Sequence, residues 1–363
     1  MIPLLMVFAN DSTSSVPPAR LAALQTGINL SHWYAQTMED YGDKHLTTYF
    51  QESDRQLIKK IGFKHVRYTL NPAALNGSNA PSDAIRPERL KMFGDQVDAF
   101  VKAGIAVIVD IHPDDSFKEA LRDDPRMVAA FEGFWSKLAT EMAKRDPNKV
   151  FLEVLNEPAV MKGDKWRGIE SRLVGAIRKA APKHTIIVNP GGEWSSIDRL
   201  VEGEPYADKN LIYTFHCYDP FVFTHQGAEW GWDKSRFMKQ VPYPSSPEAV
   251  EPLLGTIQDQ DAMWAVKNYG GENWDFAKMK ARLKLAADWG AKHKVPVYCG
   301  EFGAYATFSP RESRLAWIRD TTRAMRELGI GWAMWDYAGG FAVAVGERGK
   351  RTADADVVKA LGL

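Results

Sequence analysis

Residues 90–112 read LKMFGDQVDAFVKAGIAVIVDIH, and this stretch decides the fold. Leu90, Phe93, Val97 and Phe100 recur at spacings of 3, 4 and 3, which is one face of an amphipathic helix. Gly104 supplies a helix stop. Ile105–Ile111 (IAVIVDI) then runs almost continuously apolar, as expected of a strand buried on both faces of a parallel sheet. Helix, glycine and buried strand make one unit of an alternating α/β chain.

The same unit recurs along the chain without any repeat of sequence. Strand candidates are Gly27–Ser31, Lys64–Thr69, Ile105–Ile111, Val150–Leu155, Thr185–Asn189, Leu211–His216, Pro296–Gly300 and Gly331–Trp335. Helical faces lie between them: Val128, Phe131, Trp135, Leu138 and Met142, and again Phe276, Met279, Leu283 and Ala286. Eight such units in 363 residues predict a (β/α)8 TIM barrel. A doubly wound open sheet would want a Gly-rich phosphate turn after the first strand, and GINLSHWY is not one.

Composition narrows the function. Lys+Arg and Asp+Glu both number 46, a zero balance that argues against a nucleic-acid partner. No run reaches the ~18 apolar residues of a membrane span. Twelve Trp in one domain raise the idea of a surface that stacks flat sugar faces. Residues 1–26 read as an N-terminal extension. Its first nine, MIPLLMVFA, resemble the tail of a signal peptide without the positive n-region, and a secreted or periplasmic protein is the expectation. Residues 27–363 read as a single domain. Residues 217–272 form a long, Pro- and aromatic-rich excursion, read as ordered and walling a cleft.

In such a barrel the strand ends carry the chemistry. His32, Trp33 and Tyr34 follow the first strand. Arg67 and Asn71 mark the second, His112 the third, and Asn156 with Glu157 the fourth. Glu193 and Trp194 follow the fifth, His216 and Tyr218 the sixth, Glu301 the seventh and Trp335 the eighth. Carboxylates at the fourth and seventh ends face each other across the mouth. Such a pair can cleave a glycosidic bond, with retention at a gap of about 5–5.5 Å and inversion at about 6.5–9.5 Å.

Leu155–Pro158 (LNEP) and Gly300–Gly303 (GEFG) resemble the two signatures of glycoside hydrolase family five, in the clan of retaining (β/α)8 glycosidases. Arg67 in HVRY, His112 in DIHP, His216 and Tyr218 in FHCY, and Trp335 in WAMWD match further family positions in order, from about Gly27 to Trp335. The resemblance implies Glu157 as acid/base and Glu301 as nucleophile. Arg67, Asn156, His112, His216 and Tyr218 are expected to support them, with Arg67 as counter-charge to Glu301. Burial and the Glu301 charge are expected to raise the Glu157 pKa. Substrate contacts are expected from Trp335, Trp33, Tyr34, Asn71, Trp194, Trp230 and Trp232. Trp135 and Trp289 are read as packing, and Asp110 and Glu153 as structural partners.

The resulting expectation is a monomeric endo-β-1,4-glucanase acting on a polysaccharide or oligosaccharide, without cofactor or metal. A β-mannanase, a β-1,3- or mixed-linkage glucanase, an exo-β-glucosidase and a non-catalytic glycan-binding barrel stand as alternatives. Eight His are scattered without HExxH spacing, and DIHPDD reads as a solvated loop. Strand alternation puts Cys299 on the inward side with Glu301 and Cys217 outward, which argues against a disulfide.

Overall fold

The computed structural model describes residues 14–363. The stretch Met1–Ala9, read above as a signal remnant, lies outside the described residues. Eight parallel strands close into a barrel: β1 (Thr26–Tyr34), β2 (His65–Leu70), β3 (Ala106–Ile111), β4 (Val150–Glu153), β5 (Ile186–Val188), β6 (Leu211–Cys217), β7 (Val297–Phe302) and β8 (Gly331–Met334). Each expected strand is present, with ends displaced by a few residues. The largest change is in β1, which runs on to Tyr34 through a register shift between Leu30 and Tyr34. A small antiparallel pair, β9 (Ala344–Val345) with β10 (Thr352–Ala353), was not expected.

The helices bury the faces that their spacing implied. In Pro87–Lys102 the buried residues include Phe93, Val97 and Phe100. Gly104 follows at φ +88°, a conformation that favours glycine. In Pro125–Met142, Val128, Phe131, Trp135, Leu138 and Met142 all face the core.

The barrel interior has two halves. Its lower half is mostly apolar: Ala106, Ile108, Phe151, Ile187, Ile212, Tyr298 and Ala333 pack together with Val16 and Leu24. Those last two flank the helix Pro18–Ala23, so part of the expected extension closes the barrel floor. Arg20 ties that helix down by donating to Thr185 Oγ1 at 2.9 Å and to the Lys183 carbonyl at 2.8 Å. Gly27 is forced by close approach, because a Cβ there would sit 2.1 Å from His65 Nε2. The upper half is polar, with Asn29, Arg67, Asp110 and Glu153 all buried.

One irregularity positions the nucleophile candidate. Phe215 pairs with Cys299, but His216 pairs with Glu301, so β7 carries one extra residue, Gly300, at this point. The extra residue reverses the alternation. Tyr298 points into the barrel and Cys299 packs outward among the helices, yet Glu301 points inward again. The expectation that Cys299 shares the side of Glu301 is therefore corrected. Cys217 also faces the outer layer, and both thiols are free and buried.

The excursion holds more structure than the sequence suggested. It contains the helices Phe221–Thr224, Pro247–Leu254 and Gln260–Glu272 and a 3-10 turn, Ser235–Phe237. Ser246 and Asp259 cap the two longer helices by accepting from the amides of Ala249 and Ala262. Gln226 staples its base, donating to the carbonyls of Phe223 and Val241 and accepting from the Val241 amide. Among the described residues no helix is long and apolar enough to cross a membrane.

Below the mouth, Glu170 is buried on the helix Gly163–Ala180, where it accepts from the Asn189 amide at 2.8 Å and the Tyr206 hydroxyl at 2.6 Å. Burial pushes its pKa from 4.5 to about 7. The folded chain therefore binds this proton more tightly than the unfolded chain. The associated stability is fully present below about pH 4.5 and is lost as pH rises through about 7. Its upper bound is about 3 kcal/mol. Glu170→Gln is expected to melt higher than the parent at pH 8 and nearly level with it at pH 4.5. Thermal melts at both pH values check this.

Candidate active site

The strand ends bring eight of the expected residues to one place. Arg67 on β2 is the hub, fully buried beneath the mouth. Its Nε and Nη2 donate to the two Glu153 oxygens, each at 2.8 Å. Nη1 donates to Glu301 Oε1 at 2.7 Å and to Asn29 Oδ1 at 3.0 Å. Nη2 also reaches Asn156 Oδ1 at 2.9 Å and Asp110 Oδ2 at 3.1 Å. Burial alone would lower the pKa of this guanidinium. The charges of Asp110, Glu153 and Glu301 outweigh that and hold it well above its ordinary value.

Glu301 is held at both oxygens, since Tyr218 donates its hydroxyl to Oε2 at 2.8 Å. Burial, then the Glu301 charge, hold the Tyr218 phenol well above its usual range, so it remains a donor. Glu157 follows Asn156 immediately after β4. Its φ of +35° lies in the left-handed region, where a non-glycine residue is strained, a feature that clusters at functional sites. Its Oε1 lies 2.7 Å from His216 Nδ1. Burial is the first cause that raises the Glu157 pKa, with the Lys118 charge the largest opposing one. The sequence pointed to Glu301 beside burial; the leading charges are instead those of Lys118 and Arg67. One oxygen each of Glu157 and Glu301 and a nitrogen of His216 lie within 4.8 Å of one another.

The histidines are neutral. Burial lowers His112 to about 3 and His216 to about 4. His112 Nδ1 lies 2.9 Å from Asp110 Oδ2, so it carries the proton. Nε2 then accepts from Asn156 Nδ2 at 3.1 Å. Asp110 thus fixes His112, and His112 and Arg67 together fix the Asn156 amide. Trp335 stacks on the His112 ring at 5.6 Å.

Three expected contacts are corrected. Trp33 is 1% exposed, stacked between Phe50 and Tyr68, and donates Nε1 to the Leu46 carbonyl. The β1 register shift keeps the strand going here, so Trp33 is a core residue and not a loop residue. Tyr34 is likewise buried, edge-on to Tyr68 and Phe93. Asn71 is buried, and its amide shapes the β2 loop: Oδ1 accepts from the Ala73 amide at 3.0 Å and Nδ2 donates to Asp114 at 3.4 Å. The Asp114–Asp115 stretch, read as a solvated loop, instead starts the helix Asp115–Asp123.

Trp194, Trp230 and Trp232 are exposed at 56%, 48% and 38%. Trp194 follows β5, and Trp230 meets Tyr305, four residues past Glu301, edge to face at 4.9 Å. Sequence reasoning missed Tyr305, Asp336 and Lys118. Asp336 follows Trp335 directly and accepts from Ser31, a proximity the WAMWD motif could have signalled. Nothing in the residue pattern marks Lys118.

The sequence profile described as Cellulase (glycosyl hydrolase family 5) matches residues 24–340. Endoglucanase 3 of Fibrobacter succinogenes is 29% identical over 97% of this chain, which spans about half (54%) of that relative's length. Endoglucanase C of Acetivibrio thermocellus is 27% identical, over 87% of this chain and 92% of its own. Among solved structures, Thermotoga maritima Cel5A in complex with cellobiose superposes with a TM-score of 0.75 at 26% identity, covering 95% of this chain and 100% of that one. The same Cel5A has been solved with mannotriose. With the match spanning nearly the whole barrel and both glutamate motifs inside it, this chain belongs to the cellulase family, glycosyl hydrolase family 5.

Proposed function

We propose that the protein is a retaining endo-β-1,4-glucanase in which Glu301 is the nucleophile and Glu157 the acid/base. The observation that carries this is the close carboxylate pair, with one oxygen of each within 4.8 Å. That proximity favours direct attack by Glu301 over the wider gap that an inverting enzyme needs for water.

In the first step Glu157 gives its proton to the glycosidic oxygen as the C1–O bond breaks. A Glu301 oxygen bonds C1 from the opposite face. In the second step Glu157, now a carboxylate, takes a proton from water as that water attacks C1 and releases Glu301. Two inversions leave the anomeric configuration unchanged. Forming the ester removes the Glu301 charge, which lowers the proton affinity of Glu157 and suits it to act as base. Asn156 supports the sugar 2-OH, and the Trp335 ring underlies the reacting sugar. The exposed Trp194, Trp230 and Trp232 favour an extended cleft and internal cutting.

A product-length profile on β-1,4-glucan and β-mannan tests the reading. Early release of mixed cello-oligosaccharides supports it, and release of glucose alone overturns the endo assignment. Faster cleavage of mannan would favour the second reading, β-mannanase, which the mannotriose complex of a relative keeps in view. Glu157→Gln is expected to lose about 10²–10⁴-fold on glucan while retaining turnover of aryl glycosides with activated leaving groups. Steady-state kinetics on both substrates check it.

A further inference from the structure

Trp335 underlies the reacting sugar in the proposed mechanism, yet its own side chain is lightly tied. Among the described residues its indole donates no hydrogen bond, and the one aromatic ring it meets is that of His112. Its amide donates to the Phe302 carbonyl at 2.8 Å, which fixes one side of the residue. The other side is fixed by the next side chain, Asp336.

Asp336 is fully buried. Its Oδ2 accepts from the Ser31 hydroxyl on β1, and its Oδ1 accepts from the Phe341 amide at 3.2 Å. His32 Nε2 stands 3.8 Å from Oδ2. The chain wraps the carboxylate closely, because a Cβ on Gly339 would sit 2.0 Å from Oδ2. The Asp336 carbonyl accepts from the Val343 amide at 3.2 Å and closes the loop 336–343 at its base. Arg314, also buried, holds the far side of this loop by donating to the carbonyls of Phe341 at 2.8 Å and Ala342 at 3.1 Å. Phe341 is thus bonded at its N–H by Asp336 and at its carbonyl by Arg314. A buried carboxylate is costly unless its hydrogen bonds are satisfied. The mechanism gives Asp336 no proton to move. Its bonds instead join the end of β1 to the segment that carries Trp335.

We propose that Asp336 is a positioning residue for Trp335. Its carboxylate clamps the segment after β8 to Ser31 and so fixes the indole under the reacting sugar. The proposal rests on the reading of Trp335 as that floor. A misplacement of about 1 Å at a substrate-positioning group can cost on the order of 10²-fold, which sets the scale of the effect.

The test is a double-mutant cycle in kcat/KM on a cello-oligosaccharide, with Asp336→Ala, Trp335→Ala and the two combined. Asp336→Ala alone is expected to lose about 10–100-fold. In the Trp335→Ala background the same change is expected to lose less than about 3-fold, because the group it positions is gone. General damage to the fold lowers the amount of active enzyme by the same factor in both backgrounds, so equal losses overturn the proposal. Asp336→Asn is expected to recover most of the loss, since its Oδ1 still accepts from the Phe341 amide and its Nδ2 can donate to the Ser31 oxygen. An asparagine as poor as alanine overturns the clamp. Ser31→Ala removes one of the two bonds and leaves the carboxylate, which keeps the test decisive where Asp336→Ala does not fold. It is expected to show a smaller loss that also vanishes without Trp335; no loss, or the same loss in both backgrounds, counts against the proposal. Trp335→Ala with parental kcat/KM overturns the floor reading and the proposal with it. A poor Trp335→Ala to which the Asp336→Ala loss adds in full overturns the proposal alone.

Discussion

Glu301→Ala is expected to reduce turnover of β-glucan by on the order of 10⁵-fold, because no other group in the site can form the glycosyl bond. Glu301 is the carboxylate held at both oxygens, by Arg67 at 2.7 Å and Tyr218 at 2.8 Å. Alanine removes the attacking atom and leaves a space on that face of the sugar. Azide or formate can occupy it. Turnover should then return with an activated substrate, and the product should be the inverted glycosyl azide or formate. Proton NMR of the anomeric product reads both points. Near-parental activity in Glu301→Ala would sink the nucleophile assignment, and rescue with retained configuration would sink the mechanism.

Arg67→Met should be the most damaging change to the fold around the site. Removing one partner of a buried ion pair costs about 3–5 kcal/mol, since the other charge is left without solvent or counter-ion. Here Asp110, Glu153 and Glu301 would all lose their shared cation. The loss should depend on pH with a definite sign. Burial already pushes Asp110 to about 6 and raises Glu153. Without Arg67 these groups will hold their protons more tightly still. The variant should therefore regain stability as pH falls towards 5, and its deficit in melting temperature against the parent should narrow. A constant deficit from pH 8 to pH 5 would contradict this. Arg67→Lys should not restore activity, because one ammonium cannot match a planar fork that reaches Glu153 twice and also Asn29, Asn156 and Glu301.

Much of the barrel was legible because its strands are buried on both faces. Such strands are apolar on both sides, and a run like Ile105–Ile111 stands apart from the one-sided pattern of the helices around it. The strand-end positions of Arg67, His112, Glu157, His216 and Glu301 followed from strand order. What escaped the sequence depended on counting residues within a strand. A strand assumed to end at Ser31 turned Trp33 and Tyr34 into mouth residues, whereas the shifted register of β1 buries both. Regular alternation placed Cys299 on the wrong side of β7 for the same reason. The Trp count also misled in part. Eight of the twelve are buried; Trp194, Trp230, Trp232 and Trp264 are exposed.

The extra residue in β7 also has a consequence for reactivity. By changing parity at Gly300, the strand delivers its carboxylate to the cleft and its sulfur to the far side of the barrel wall. Cys217 lies on that side too, and the chain has only these two cysteines. Electrophiles and oxidants that enter the cleft therefore meet oxygen and nitrogen nucleophiles but no thiol. One inserted glycine separates sulfur chemistry from sugar chemistry within a strand of six residues.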